Sequence, residues 1–192
     1  MKKYVLLLLI FVVSGCTTFR EKNVKFLEDI PSTTSPHSIA LYYTSCRKGS
    51  FDFAIQSDCL GGDISKHLTR QLQKTNLFEE IEPNLKNADY NLYVETFTQE
   101  QGSYVAAIIT GFSLYTIPSW VREEVVISAK IENTKTGKSK KFAFNDSMLM
   151  IQWILLAPLS PFMTPFAQEH YMVRDLSRRI ALEVYTAMQE LD

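Results

Sequence analysis

The 192-residue chain predicts an α+β two-layer sandwich, a mixed or antiparallel sheet of about four to five strands with two helices packed on it. Three observations carry this. Residues 90–98 and 122–132 alternate apolar and polar side chains, the period of a half-buried strand. Residues 63–75 and 165–190 place apolar side chains at helical spacing. The order is strand, helix, short strand, three longer strands, helix, which groups strands together instead of alternating every strand with a helix.

Residues 38–44 open the domain. Ile39, Ala40, Leu41, Tyr42 and Tyr43 form a nearly continuous apolar run, as in a central strand buried on both faces. Residues 46–59 then form an inserted loop, with a short strand expected at 51–55. Gly61-Gly62 breaks the chain, and Asp63 can cap a helix on which Ile64, Leu68 and Leu72 recur every four residues. Lys74 suits the negative end of that helix, and Asn76 suits the left-handed residue beyond it, with Leu77 packing back. Residues 78–81 form a short strand ended by Pro83-Asn84.

In 90–98, Tyr90, Leu92, Val94 and Thr96 share one face; in 122–132, Val125, Ile127, Ala129 and Ile131 do the same. Residues 133–137 read as a hairpin turn with Gly137 available for positive φ. The return strand, 138–145, carries Phe142 and Phe144. Thr164 can cap the final helix and Pro165 suits its first position. Its stripe is Val173, Leu176, Ile180, Val184, Ala187 and Leu191, with Arg174, Asp175, Arg178 and Glu183 on the other faces.

Two segments carry no charge. Glu100 and Arg122 are separated by 21 uncharged positions, and Asp146 and Glu169 by 22. They define apolar insertions at 103–119 and 147–166 within a domain of residues 38–192. Surface connections are normally polar, so three roles are open. The segments fold back as core, remain exposed as an interaction patch, or span a membrane as a hairpin. Gly111, Pro118, Pro158 and Pro161 interrupt them and weigh against spanning. The candidate surface is Ile108, Ile109, Phe112, Leu114, Trp153, Leu155 and Leu156. Both segments leave the open end of the 122–145 hairpin, opposite its turn, and so belong to one side of the domain.

The N-terminus is built as an export signal. Lys2 and Lys3 precede ten apolar residues, Tyr4 to Val13, and then Ser14-Gly15-Cys16. Ten residues of helix reach about 15 Å, half of a hydrocarbon core. The stretch Val13-Ser14-Gly15-Cys16 resembles the lipobox of bacterial lipoproteins. That resemblance implies cleavage after residue 15, a diacylglyceryl thioether on the Cys16 sulfur and an acyl chain such as palmitate on its new amino group. The other reading is a plain secretory signal with a chance cysteine. Residues 16–37 are expected to be a lipidated, flexible tether holding the domain about 25 Å from the bilayer. Lipoproteins with a residue other than Asp after the cysteine, here Thr17, generally sort to the outer membrane.

Removing Lys2 and Lys3 leaves 18 basic residues of 20 against 21 acidic ones, so no basic surface for nucleic acid is expected. Lipid would consume Cys16, leaving Cys46 and Cys59. In an oxidising compartment these two are expected to bridge; the alternative is a free thiol pair for metal or redox chemistry.

The Leu72…Leu77-Phe78 helix exit, the Ala88-Asp89-Tyr90-x-Leu92-x-Val94 strand and the Gly111…Ile117-Pro118 loop resemble small envelope lipoproteins of Gram-negative bacteria. The domain is similar to the lipopolysaccharide-transport lipoprotein, the N-terminal domain of the Tol–Pal propeller protein, and the curli-secretion and polysaccharide-export lipoproteins. The resemblance is architectural and covers most of 38–190. It implies a non-enzymatic assembly or transport accessory on the periplasmic face of the outer membrane, with an envelope complex or a second copy as partner. An alternative is a lipid carrier using the two apolar segments.

No catalytic residue or metal ligand is expected. His37, His67 and His170 have no ligand spacing, and neither G-x-S-x-G nor a P-loop occurs. No cofactor is expected beyond the covalent lipid on Cys16.

Overall fold

The computed structural model describes residues 16–21, 37–48, 58–59, 63–74, 76–83, 85–160 and 162–191. Its strands are β1 (Cys16–Arg20), β2 (His37–Lys48), β3 (Asp58–Cys59), β4 (Phe78–Glu82), β5 (Tyr90–Gly102), β6 (Ser119–Asn133) and β7 (Ser139–Gln152). Its helices are α1 (Asp63–Lys74), α2 (Tyr104–Phe112) and α3 (Pro165–Leu191), with a 3₁₀ turn at Ile154–Leu156.

The seven strands make one mixed sheet in the order β1-β7-β6-β5-β2-β3, with β4 beside the first half of β2. β2 runs parallel to β4 and β5, while the remaining pairs are antiparallel. α1 and α3 pack side by side on one face of this sheet, giving two layers. The core lies between them. Tyr90, Leu92 and Val94 of β5 and Val125, Ile127 and Ile131 of β6 meet Leu68 and Leu72 of α1 and Leu176, Ile180 and Val184 of α3. All are at most 2% exposed, and each such side chain contributes about 1.5–3 kcal/mol.

Local chemistry sets several boundaries where the sequence predicts them. Asn76 takes the left-handed position after α1, with φ 54°, and Leu77 is fully buried behind it. Gly137 has φ 70°, and its amide closes the β6–β7 turn on the Asn133 carbonyl at 2.9 Å. Thr164 Oγ1 accepts from the Ala167 amide at 3.3 Å and starts α3.

Among the described residues the counts differ from expectation: seven strands instead of four or five, and three α-helices instead of two. β6 and β7 continue past their alternating parts, so 147–152 is strand and not an insertion. The expected tether is also corrected at its start. Cys16–Arg20 is an edge strand paired along its whole length with β7, Cys16 against Gln152 through Arg20 against Met148. Residues 22–36, the rest of the expected tether, lie outside the described residues, as does the short strand expected at 51–55.

Candidate functional site: an apolar collar around Cys16

The last row of the sheet at one end is Cys16, Gln152 and Ser119, contributed by β1, β7 and β6. Ser119 Oγ donates to Gln152 Oε1 at 3.1 Å across this row. Beyond it the chain leaves the sheet twice, through residues 103–118 and 153–164. The Ile154 amide donates to the Tyr115 carbonyl at 2.9 Å and ties the two excursions together. The second one also covers the free edge of β1. The Thr18 amide donates to the Met163 carbonyl at 2.9 Å, and Thr17 Oγ1 to the Leu156 carbonyl at 3.4 Å.

Arg20 fixes β1 in place. Its side chain is 9% exposed, and it bonds the fully buried Asp146 of β7 through Nε at 2.9 Å and also through a second nitrogen. A third donor reaches Asp175 of α3 at 2.7 Å. Burial opposes the guanidinium's charge, but the hydrogen bonds and charges of Asp146 and Asp175 outweigh it and raise the Arg20 pKa. Glu21 continues the attachment, its amide donating to the Ser147 carbonyl at 3.0 Å and its carboxylate pairing Arg122 at 2.6 Å. Burial raises the half-buried Cys16 thiol above its usual pKa.

The two excursions invert the ordinary rule of burial. In α2 the small residues face the protein: Ala106 and Ala107 are half-buried and Thr110 is fully buried. Val105, Ile108, Ile109 and Phe112 point outward, Phe112 with 86% exposure. The same holds for the second excursion, where Ala157 and Ser160 are buried while Leu155, Leu159 and Phe162 are exposed. Ser103 caps α2 by accepting from the Ala106 amide, so this helix is properly built and not a frayed loop. Among the described residues, twelve of the sixteen large exposed apolar side chains lie in 104–120 or 155–166, a concentration unlike the scattered exposure of ordinary surfaces.

After α2 the chain is held in a costly conformation. Leu114 and Tyr115 both take left-handed backbone, φ 52° and 62°, at about 1–2 kcal/mol each for such residues. The Tyr115 amide donates to the Thr110 carbonyl at 2.9 Å, which keeps the turn closed and leaves Leu114 64% exposed.

Of the seven surface residues expected from the sequence, Ile108, Ile109, Phe112, Leu114 and Leu155 are exposed in the collar, whereas Trp153 and Leu156 are half-buried beneath it. Sequence reasoning missed Cys16 itself as part of this surface, because a short edge strand has no periodicity to reveal it. It also missed Trp120, 55% exposed beside the row, and Phe162 and Phe166. The strand register sets Cys46 of β2 opposite Cys59 of β3. His67 and His170, on α1 and α3, meet edge to face at 5.3 Å.

A polar cluster closes the core below α2. Arg47 of β2 bonds Glu100 and lies 3.8 Å from Glu123, the cross-strand neighbour of Glu100. Burial pushes the Glu123 carboxyl up, with Glu100 and Glu169 adding to the rise and Arg47 opposing it. A cavity of about 210 Å³ lies against this cluster, lined also by Ala107, Val121, Met148 and Met150. Among the described residues no group of three or more His, Cys, Asp or Glu could hold a metal, and no helix is long and apolar enough to cross a membrane.

No family model and no curated protein matches the chain. Its fold is similar to solved structures at low identity. One is a minor lipoprotein from Acinetobacter baumannii, 16% identical over 77% of this chain and 90% of that one, with a TM-score of 0.42. A Xanthomonas campestris protein of the DUF330 family is 9% identical over 82% and 88%, TM-score 0.37. The PelC dodecamer of Paraburkholderia phytofirmans is 9% identical over 77% and 91%, TM-score 0.28. At these identities and scores none of them determines activity or assembly.

Proposed function

We propose that the chain is a lipid-anchored, non-enzymatic lipoprotein of the bacterial envelope, facing the periplasm from the outer membrane and acting as an assembly, transport-accessory or interaction protein. The observation that carries this reading is the place of Cys16. The residue that the lipobox resemblance marks for acylation sits in the last row of the sheet, inside a collar of outward apolar side chains. In this reading residues 1–15 are removed, Cys16 carries the diacylglyceryl thioether and the N-acyl chain, and Cys46 and Cys59 are bridged. An enclosed lipid-carrier site is less well supported. The cavity below α2, about 210 Å³, is smaller than the roughly 300–1,000 Å³ of ordinary ligand pockets, and a larger hollow of about 630 Å³ is lined mostly by outward residues of the sheet such as Tyr93, Ser128 and Lys141.

The mass of the mature N-terminal peptide tests the anchor: a triacylated Cys16 is expected, and an unmodified Cys16 or cleavage elsewhere rejects it. Thiol labelling of the denatured, unreduced protein tests the bridge, which labelled Cys46 and Cys59 would refute. Deleting the gene and scoring envelope integrity tests the role: the defect should be restored by the wild-type chain and not by Cys16→Ala.

A further inference from the structure

We infer that the collar is a bilayer-contacting surface: the outward apolar side chains of α2 and of residues 155–166 seat in the interfacial zone of the membrane that takes the Cys16 acyl chains. This fixes the domain with its 133–137 turn pointing away from lipid. The inference rests on the lipid-anchor reading above and adds what that reading leaves open, the orientation of the domain and the occupant of its apolar surface.

The geometry is restrictive. A lipoprotein whose acylated cysteine is followed by a flexible segment stands off the bilayer. Here the strand begins at Cys16 itself, and Thr17, Thr18, Arg20 and Glu21 are bonded to β7, α3 or the second excursion. The acyl chains therefore start at the last row of the sheet, and the bilayer lies within one glycerol linkage of it. Segments 103–118 and 153–155 leave the sheet at that same end, and residues 156–163 run beside the edge of β1, bonded at Thr17 and Thr18, so their outward side chains stand next to the acylated row and reach the headgroup region. A second copy of the chain covering the collar would have to wedge between the domain and lipid already attached at its centre.

The chemistry agrees with the geometry. Charged groups are costly in the apolar zone, and the two segments hold none across 21 and 22 positions. Small residues inward and large ones outward is the pattern of a helix whose outer solvent is apolar. Both tryptophans of the chain, Trp120 and Trp153, stand at the base of the collar, the depth at which indole rings favour a membrane interface.

Those two tryptophans are native reporters. The full chain, purified in its processed form, is reconstituted in vesicles of phosphatidylethanolamine and phosphatidylglycerol with or without brominated acyl chains. Expected are flotation with the vesicles and loss of tryptophan fluorescence in the brominated ones, retained in Trp153→Phe, where Trp120 alone reports. Ile109→Asp with Phe162→Asp, both at exposed positions, should keep flotation and lose most of the quenching. Protein that floats with unquenched tryptophans overturns the bilayer surface while leaving the anchor intact, and assigns the collar to a protein partner. Protein that does not float overturns both.

Discussion

α3 and α2 obey opposite rules within one domain. α3 buries Leu176, Ile180 and Val184 against the sheet and keeps its charged residues off that face, at the surface or paired as Asp175 is with Arg20; α2 turns Ala106, Ala107 and Thr110 inward and shows Ile109 and Phe112. The two ends of the sheet differ in the same way. At the β6–β7 turn, Lys135 pairs with Asp89 at 2.6 Å, and Asp89 also accepts from the Ser38 amide and hydroxyl. At the Cys16 end charge is absent from both excursions. Packing alone does not require this, since the outward residues of α2 touch little and could be polar at no cost to the core. This contrast between the two ends is what supports the proposal that the Cys16 end contacts lipid.

The largest expected effect is on the clamp that makes this end rigid. Asp146→Ala leaves Arg20 buried without its main partner and should cost about 3–5 kcal/mol, read as a lowered urea midpoint. Replacing both Arg20 and Asp146 by apolar residues should restore much of that loss, because it is the unpaired charge that is expensive. If the single change were silent, β1 would be a loosely attached segment and the contrast between the ends would weaken.

The two helices can be compared directly. Ile180→Ala in α3 should destabilise by about 2–5 kcal/mol, whereas Ile109→Ala in α2 should stay within about 0.5 kcal/mol. A comparable loss at Ile109 would mean that α2 is covered by the protein. Next in size is Leu114→Gly, which relieves a left-handed leucine worth about 1–2 kcal/mol against roughly 0.5–1 kcal/mol for the added freedom of glycine in the unfolded chain, and so should leave the soluble fold as stable or up to about 1 kcal/mol more stable while weakening vesicle contact. A stabilised fold with unchanged contact would separate the strained turn from the surface.

The smallest effect belongs to the polar end. The Lys135 ammonium, and then the Ser38 amide and hydroxyl, hold Asp89 at a pKa of about 2, below the usual 3.8. Because the folded value is the lower one, this contribution is complete above the unfolded pKa and is lost as pH falls from near 4 through about 2. Asp89→Asn should flatten that part of the acid unfolding curve; an unchanged curve would show the pairing to be without consequence.

Much of the fold was legible because it follows from local rules. Asn76, Gly137 and the Thr164-Pro165 helix start each act through their own backbone chemistry, and α3 declares its buried face by its spacing. Other features depend on partners far away in the chain. β1 is five residues long and pairs with residues 148–152, so no period within 16–20 could announce it. Residues 147–152 are a short apolar run, equally suited to a strand or a buried turn. The insertion 103–119 was visible as uncharged, but composition does not say which side of a helix faces out. Ala106, Ala107 and Thr110 take the protein side, an orientation set by contacts with the sheet and not by the helix's own sequence.

In the proposed orientation the Cys16 end of the sheet faces lipid and the 133–137 end faces water. In the proposed mature form Cys16 is acylated and Cys46 bridged to Cys59, which would leave no competing thiol, so spin labels at Phe112→Cys and Thr136→Cys can be read in vesicles by their collisions with oxygen and with a water-soluble nickel chelate. The label at 112 should be reached by oxygen and shielded from nickel, and the label at 136 should show the reverse response. Equal access of nickel to both positions in vesicle-bound protein would contradict it.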